Sequence, residues 1–235
     1  MALVLSFDTA TPHLAVVLAM DGRPIAWRED ATKALSHAER LNVFLAEVMQ
    51  DGGHKLEDLD AVAVGTGPGS YTGLRIGLSA AKGLCFALDK PLIGMGTLEV
   101  LIAEKLAAGP PEEGAVLMPM VDARRMEVYT RPFSPAGEPG GATAPLVLDM
   151  AWCETRKGGG PTVVFGDGAD KAAQLWQAAP WIEHQQGIRP GVNGLARCAH
   201  RHFLLGRFSD LAYLVPEYGK PANVAQQRGR GSGTP

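Results

Sequence analysis

A chain of 235 residues is long enough for two packed units of about 100 residues each, or for one large unit. Hydrophobic residues make up 46%, charged residues 20%, and 29 Gly with 17 Pro supply many chain-breakers, which excludes a coiled coil, a collagen-like repeat and a wholly disordered chain. A net charge of −3 does not advertise a grip on a polyanion, and the isolated Cys85, Cys153 and Cys198 suit neither a zinc ribbon nor a disulfide framework, so a reducing cytoplasm is the expected setting.

The apolar run Ala2–Phe7 stops at Asp8, too short for a signal peptide or a membrane span, and reads as a buried strand. Asp8-Thr9-Ala10-Thr11-Pro12 is a turn, Leu14–Met20 a second strand, and Asp21-Gly22-Arg23 a hairpin into a third, Pro24–Arg28; the three make a meander. Ser36-His37-Ala38-Glu39 matches a capping box, and Ala38, Leu41, Leu45, Val48 and Met49 continue at helical spacing until Asp51-Gly52-Gly53. Leu59–Val64 is the next strand and leads into the glycine loop Gly65–Gly73. A long helix then runs to about Leu88 along the seam Leu74, Leu78, Ala81, Cys85, Leu88. With Gly77, Ala80, Gly83, Leu84 and Ala87 beside that seam, this helix is expected to be covered on more than one side.

Leu92–Gly94 and the helix Leu98–Ala107 close this unit, and Gly109–Gly114 is the clearest linker. The pattern then starts again: strands Ala115–Val121 and Met126–Phe133 around the turn Asp122–Arg125, a Pro/Gly loop, strands Leu146–Leu148 and Thr162–Phe165, and helices near Ala169–Gln177 and Asn193–Leu205. The expected division is 1–108, 115–210 and a segment 211–235 ending in an Arg/Gly/Ser-rich tail.

Glycines between a strand and a helix permit close backbone approach and free the helix-start amides for an anion, so Gly67 and Gly69 are candidates for phosphate contact. The loop is neither a Walker loop nor a Rossmann fingerprint, and a plain strand-to-helix turn remains open beside that reading. Asp8 and Thr9 could help hold a magnesium–phosphate group, or simply form an Asx or Thr turn. No metal site is expected: His200 and His202, two apart on a helix, face different sides. Asp122 is the candidate carboxylate after the linker, with Arg124 and Arg125 beside it.

Three stretches resemble the TsaB (YeaZ) family, which serves the formation of N6-threonylcarbamoyladenosine at position 37 of tRNAs. Gly67-Pro68-Gly69-Ser70-Tyr71-Thr72-Gly73-Leu74-Arg75-Ile76-Gly77 is the most specific. Asp122-Ala123-Arg124-Arg125-Met126-Glu127-Val128-Tyr129 is similar to a second signature, with Met126 where Gly is commoner, and Leu5–Ala10 resembles the family's start. Ser36–Leu41, Gly166–Ala169 and Pro190–Ala196 extend the likeness over most of residues 1–215.

The resemblance implies an α/β, two-lobed fold of the actin/Hsp70/sugar-kinase (ASKHA) type, with mixed sheets flanked by helices. It implies a cytoplasmic, non-enzymatic subunit that binds and activates the paralogous transferase TsaD, works with the ATPase TsaE, and reaches tRNA only through the complex. It has no membrane role, and homodimers can use the same surface. On this reading the partner surface involves His37, Leu41, Leu45, Leu74, Gly77, Leu78, Ala80 and Ala81. The chain needs no cofactor of its own, ATP and metal belonging to the partners. The paralogue holds its metal with a His-x-x-x-His pair, whereas here His37 is followed four residues later by Leu41. The alternative is an ATP-binding phosphotransferase or ATPase built on Asp8 and the glycine loop; against it, Ala10 stands where nucleotide-handling members of the fold usually have Gly.

Overall fold

The structure is a computed structural model that describes residues 1–32 and 37–219. The capping serine Ser36 and the tail arginines Arg228 and Arg230 lie outside the described residues, as does the His37 side chain.

The first sheet contains β1 (Leu3–Asp8), β2 (Leu14–Met20), β3 (Arg23–Asp30), β4 (Ala61–Gly67) and β5 (Leu92–Gly96), in the spatial order β3-β2-β1-β4-β5. The meander β1–β3 is antiparallel, and β4 and β5 add in parallel to the other edge of β1. Asp21 and Gly22, both at positive φ, make the tight β2–β3 turn. The second sheet contains β6 (Val116–Asp122), β7 (Glu127–Thr130), β8 (Ala144–Val147), β9 (Thr162–Phe165) and β10 (Ile182–Gln185). Its order, β10-β9-β6-β7-β8, repeats the first: two antiparallel strands on one side of the lead strand and two parallel ones on the other.

Alternation along the strands sorts the cores. Leu3, Leu5 and Phe7 of β1 point to one face, where α1 (His37–Asp51) and α2 (Tyr71–Leu88) cover them with Leu41, Leu45, Leu78, Ala81 and Cys85. Val4 of β1, with Ala15 and Val17 of β2, points to the opposite face. There the cover is α3 (Thr97–Ala107) and α7 (Val192–Leu204). The helix α3 has apolar residues on two faces because it has two sheets to satisfy: Val100 packs on the first, and Leu98, Leu101 and Ile102 pack on Leu117, Val163 and Phe165 of the second. The outer face of the second sheet is closed by α4 (Met150–Glu154), α5 (Asp167–Asp170) and α6 (Ala173–Ala178), with Trp176 among Met120, Val164 and Ile182.

Two expectations about the division of the chain need correction. The helix near 193–205 does not close the second unit. As α7 it crosses back, and Leu195, Ala196, Cys198 and Ala199 fill the first sheet's core. Residues beyond it also return. Ser209 N–H donates to Leu92 C=O (2.7 Å), Lys82 Nζ to Ala212 C=O (3.1 Å) and Glu217 N–H to Thr66 C=O (2.7 Å), so this segment straps β5, α2 and the end of β4.

Close packing of α7 on α3 depends on Gly194. A methyl group there would stand 2.4 Å from Val100 O and 3.0 Å from the Glu104 backbone nitrogen, and the Gly194 N–H already donates to Glu104 Oε2 at 2.5 Å. The carboxylate thus satisfies an orphan amide at the start of α7. Gly194→Ala is expected to push the helices apart and cost about 2 kcal/mol, a fall of about 4–8 °C in the thermal midpoint measured by calorimetry.

Candidate functional site

The end of β1 and the glycine loop meet closely. Asp8 is fully buried; its Oδ1 accepts the Ala10 N–H at 2.7 Å, while its Oδ2 has no hydrogen-bond partner among the described residues and is packed on Gly65. Burial pushes its carboxyl up to about 6, with the Ala10 amide opposing the rise. Thr9 Oγ1 donates to Gly73 C=O at 2.8 Å. Ser70 N–H donates to Ala10 C=O at 2.6 Å, and the Ser70 hydroxyl caps α2 by accepting the Gly73 N–H at 3.2 Å. A Cβ on Gly69 would stand 2.3 Å from Ala10 O, so only glycine lets the two turns close to this degree.

This arrangement places the candidate phosphate contacts. Asp8 and Thr9 are buried, with Thr9 Oγ1 and one Asp8 oxygen bonded to the chain's own backbone, and Gly67 packs beneath the carbonyl of Glu217. Of the four, Gly69 alone lines the large cleft beside the turns. That cleft holds about 600 Å³ between the two sheets. Ala10, Gly69, Ser70 and Thr72 form one wall, and Asp122, Arg124, Arg125 and Asp167 form the other.

The second wall is built by β6 and the start of α5. Asp122 Oδ1 accepts the Arg124 N–H at 2.8 Å and pairs with the ammonium of Lys171, which also donates to Glu127 C=O at 2.6 Å. Asp167 Oδ1 accepts the Asp122 N–H at 3.1 Å, and burial raises the Asp167 carboxyl above its ordinary value. Arg124 and Arg125 both adopt left-handed backbone angles, φ 69° and 50°, unusual for residues with side chains. At the rim the Arg75 guanidinium lies 4.1 Å over the Tyr71 ring and its Nε donates to the Tyr218 hydroxyl at 2.9 Å; the two tyrosine rings are 4.8 Å apart. Arg124 and Arg125 offer this cleft cations for an anionic ligand. Lys171 pairs with Asp122 on this wall of the cleft.

The expected partner surface also needs correction. Leu41, Leu45, Leu74, Gly77, Leu78 and Ala81 are buried in the chain's own core, and Ala80 is half-buried against it. The physical reason is that the 4–3 seam of large side chains is the inward stripe of α2, which this chain's sheet already covers. The outward stripe is different: Thr72, Arg75, Ser79, Gly83, Phe86 and Ala87 are exposed, with Phe86 at 81%. On α1 the large exposed apolar residue is Val43, at 52%.

Sequence reasoning missed β10, α4, the strap and the return of α7. Gly166-Asp167-Gly168-Ala169 entered only as a likeness; a carboxylate just after β9, mirroring Asp122 at the end of β6, was the available signal.

The family model described as "TsaD: tRNA N6-adenosine threonylcarbamoyltransferase" matches residues 31–144. The tRNA threonylcarbamoyladenosine biosynthesis protein TsaB of Escherichia coli is 34% identical over 126 residues, 54% of this chain and 52% of that protein. The chain spans about half the length of the curated TsaB relatives it matches. YeaZ from Pseudomonas aeruginosa superposes with a TM-score of 0.75 at 24% identity, covering 93% of this chain and 100% of that one. The activator of 2-hydroxyisocaproyl-CoA dehydratase from Clostridium difficile, solved with ADPNP, gives 0.52 at 9% identity over 88% of this chain and 95% of that one. At these identities the structural likeness is one of fold, and the fold is the two-lobed ASKHA architecture. Among the described residues no helix is long and apolar enough to cross a membrane.

Proposed function

We propose that the chain is a member of the TsaB/YeaZ family and a non-catalytic subunit in the formation of N6-threonylcarbamoyladenosine at position 37 of tRNA. It binds and activates a TsaD-type threonylcarbamoyltransferase, shares the assembly with a TsaE-type ATPase, meets tRNA only through that assembly, and works in the cytoplasm. Two copies pair through the same face when the transferase is missing.

The observation that carries this reading is the outward stripe of α2, where one large apolar side chain, Phe86, projects among Ser79, Gly83 and Ala87. Small neighbours let a second helix approach closely, and a Cβ on Gly83 would meet nothing of this chain within 4 Å. An exposed aromatic anchor in such a stripe suits burial in an interface. His37 begins α1, but Leu41 one turn later belongs to the core, so the paralogue's imidazole pair has no counterpart there.

The cleft of about 600 Å³ is what favours the second reading, an ATP-binding phosphotransferase or ATPase. Against turnover stand the closed Ala10–Ser70 contact and the Lys171 ammonium on Asp122. We assign ATP and the metal of the transfer reaction to its partners.

Reconstitution tests this. The purified chain alone is expected to turn over no ATP and modify no tRNA, and addition of the TsaD-type and TsaE-type subunits with threonylcarbamoyl-adenylate, ATP and tRNA is expected to yield product. ATP hydrolysis by the chain alone that disappears in Asp122→Asn would establish the second reading instead.

A further inference from the structure

Away from the cleft, three different metal-ligating side chains converge between α3 and α7. Glu99 stands in the first turn of α3, while Cys198 and His202 sit one turn apart on α7. The spacing i, i+4 puts the thiol and the imidazole on one helix face. His202 Nε2 lies 2.9 Å from Glu99 Oε1, and the sulfur, imidazole and carboxylate ligand atoms all fall within 4.8 Å of one another. Cys198 is 3% exposed and His202 9%. The Glu99 edge is more open and lines a second cleft of about 350 Å³ with Gly96, Arg131, Ser209 and Glu217.

We propose that Glu99, Cys198 and His202 form a zinc-class metal site, with the fourth position taken by water from the second cleft. The donor set selects the metal: a thiolate and an imidazole suit a borderline-soft ion, whereas calcium and magnesium want oxygen ligands throughout. Zinc bonds of about 2.0–2.3 Å in a tetrahedron place ligand atoms about 3.3–3.8 Å apart. The Glu99–His202 pair at 2.9 Å therefore needs to open by about 0.4 Å and the pairs up to 4.8 Å apart to close by about 1–1.5 Å, within the reach of side-chain torsions.

Charge balances among the three donors, with the Arg131 guanidinium a further cation in the same cleft. One thiolate and one carboxylate offset the dication, and neutral imidazole adds none. On binding, the S–H bond breaks, the S–metal bond forms and the proton passes to solvent. Arg201, the neighbour of His202, is turned away toward Glu138 at 3.5 Å. The Cys198-x-x-x-His202 spacing is legible in the sequence, but Glu99 lies 99 residues before Cys198 and reaches the pair only because α7 returns to the first sheet.

Cobalt(II) alone is the probe. The metal-stripped, reduced full-length chain is expected to take up one equivalent and to show a thiolate-to-cobalt charge-transfer band in the near ultraviolet, together with the intense visible bands of tetrahedral cobalt. Zinc(II) should bleach both. Cys198→Ser should lose the charge-transfer band, leaving Cys85 and Cys153, which lie in other cores, unable to replace it. Glu99→Gln, at the open edge, spares the core packing and should shift the visible bands and weaken cobalt binding. A wild-type chain with only the weak spectrum of hydrated cobalt overturns the site, as does an unaltered spectrum in Cys198→Ser or Glu99→Gln.

Discussion

Phe86→Glu is expected to abolish co-purification with the TsaD-type transferase while leaving the chain folded. The side chain is 81% exposed, so the isolated protein loses almost no packing, and its thermal midpoint should stay within about 2 °C of wild type. On the proposed reading the same side chain projects into the partner from near the C-terminal end of the α2 stripe. A carboxylate there forfeits the aromatic anchor and must be desolvated without a partner. Together these should weaken association by at least about 100-fold, or about 3 kcal/mol. Equilibrium binding by calorimetry, with circular dichroism of the variant, measures both halves. Gly77→Arg is the contrasting substitution. Gly77 lies on the inward seam, where a Cβ would stand 2.4 Å from Thr9 Oγ1, so an arginine should unfold the first sheet's helical layer rather than report on an interface. Unimpaired binding by Phe86→Glu would move the partner surface off α2.

The second large effect concerns pH. Asp8 has an ordinary value of 3.8 and is pushed up to about 6 in the folded chain, mainly by burial, with Asp167 across the cleft adding to the rise. The folded state thus holds this proton more tightly than the unfolded state. The associated stability is fully present below about pH 3.8 and is lost as pH rises through about 6. A gap of about two pH units corresponds to about 3 kcal/mol. Asp8→Asn cannot ionise. Urea unfolding of both proteins from pH 4 to pH 8 should show wild type falling by about 3 kcal/mol relative to the variant, most of it between pH 4 and 7. A difference independent of pH would mean that the carboxylate finds a partner when ionised. The destabilisation fits a turn held for geometry, since Asp8 Oδ1 fixes the Ala10 amide and Ala10 in turn holds the glycine loop.

Much of this fold is legible in the sequence because local physics and tertiary packing agree there. The strand β1 is an apolar run ended by a turn, α2 carries a clear inward seam, and Gly109–Gly114 does separate two strand-led halves. Where local signals are weak, the elements escape notice. β10 reads Ile-Glu-His-Gln, with one buried side chain among four, and α4 spans five residues. The destination of α7 is not a local property at all. Its stripe of Leu195, Ala196, Cys198 and Ala199 shows that one face is buried, but either sheet could receive it. The candidate site suffered in the same way. Asp122 and Asp167 are brought to one wall by the parallel pairing of β6 with β9, and no spacing rule predicts that. The expected partner residues on α2 fall on its inward stripe because both stripes are rich in small residues. Only side-chain size distinguishes them: leucines turn inward, and a solitary phenylalanine turns out.

The central claim is that this polypeptide completes another protein's active site assembly rather than possessing one. Its most direct test is modified tRNA formed at a fixed TsaD-type transferase concentration as the chain is titrated in, with the TsaE-type subunit, threonylcarbamoyl-adenylate and ATP in excess. Product should rise from near zero and level off at an equimolar ratio. Full product in the chain's absence, or product made by the chain with no transferase present, would contradict it.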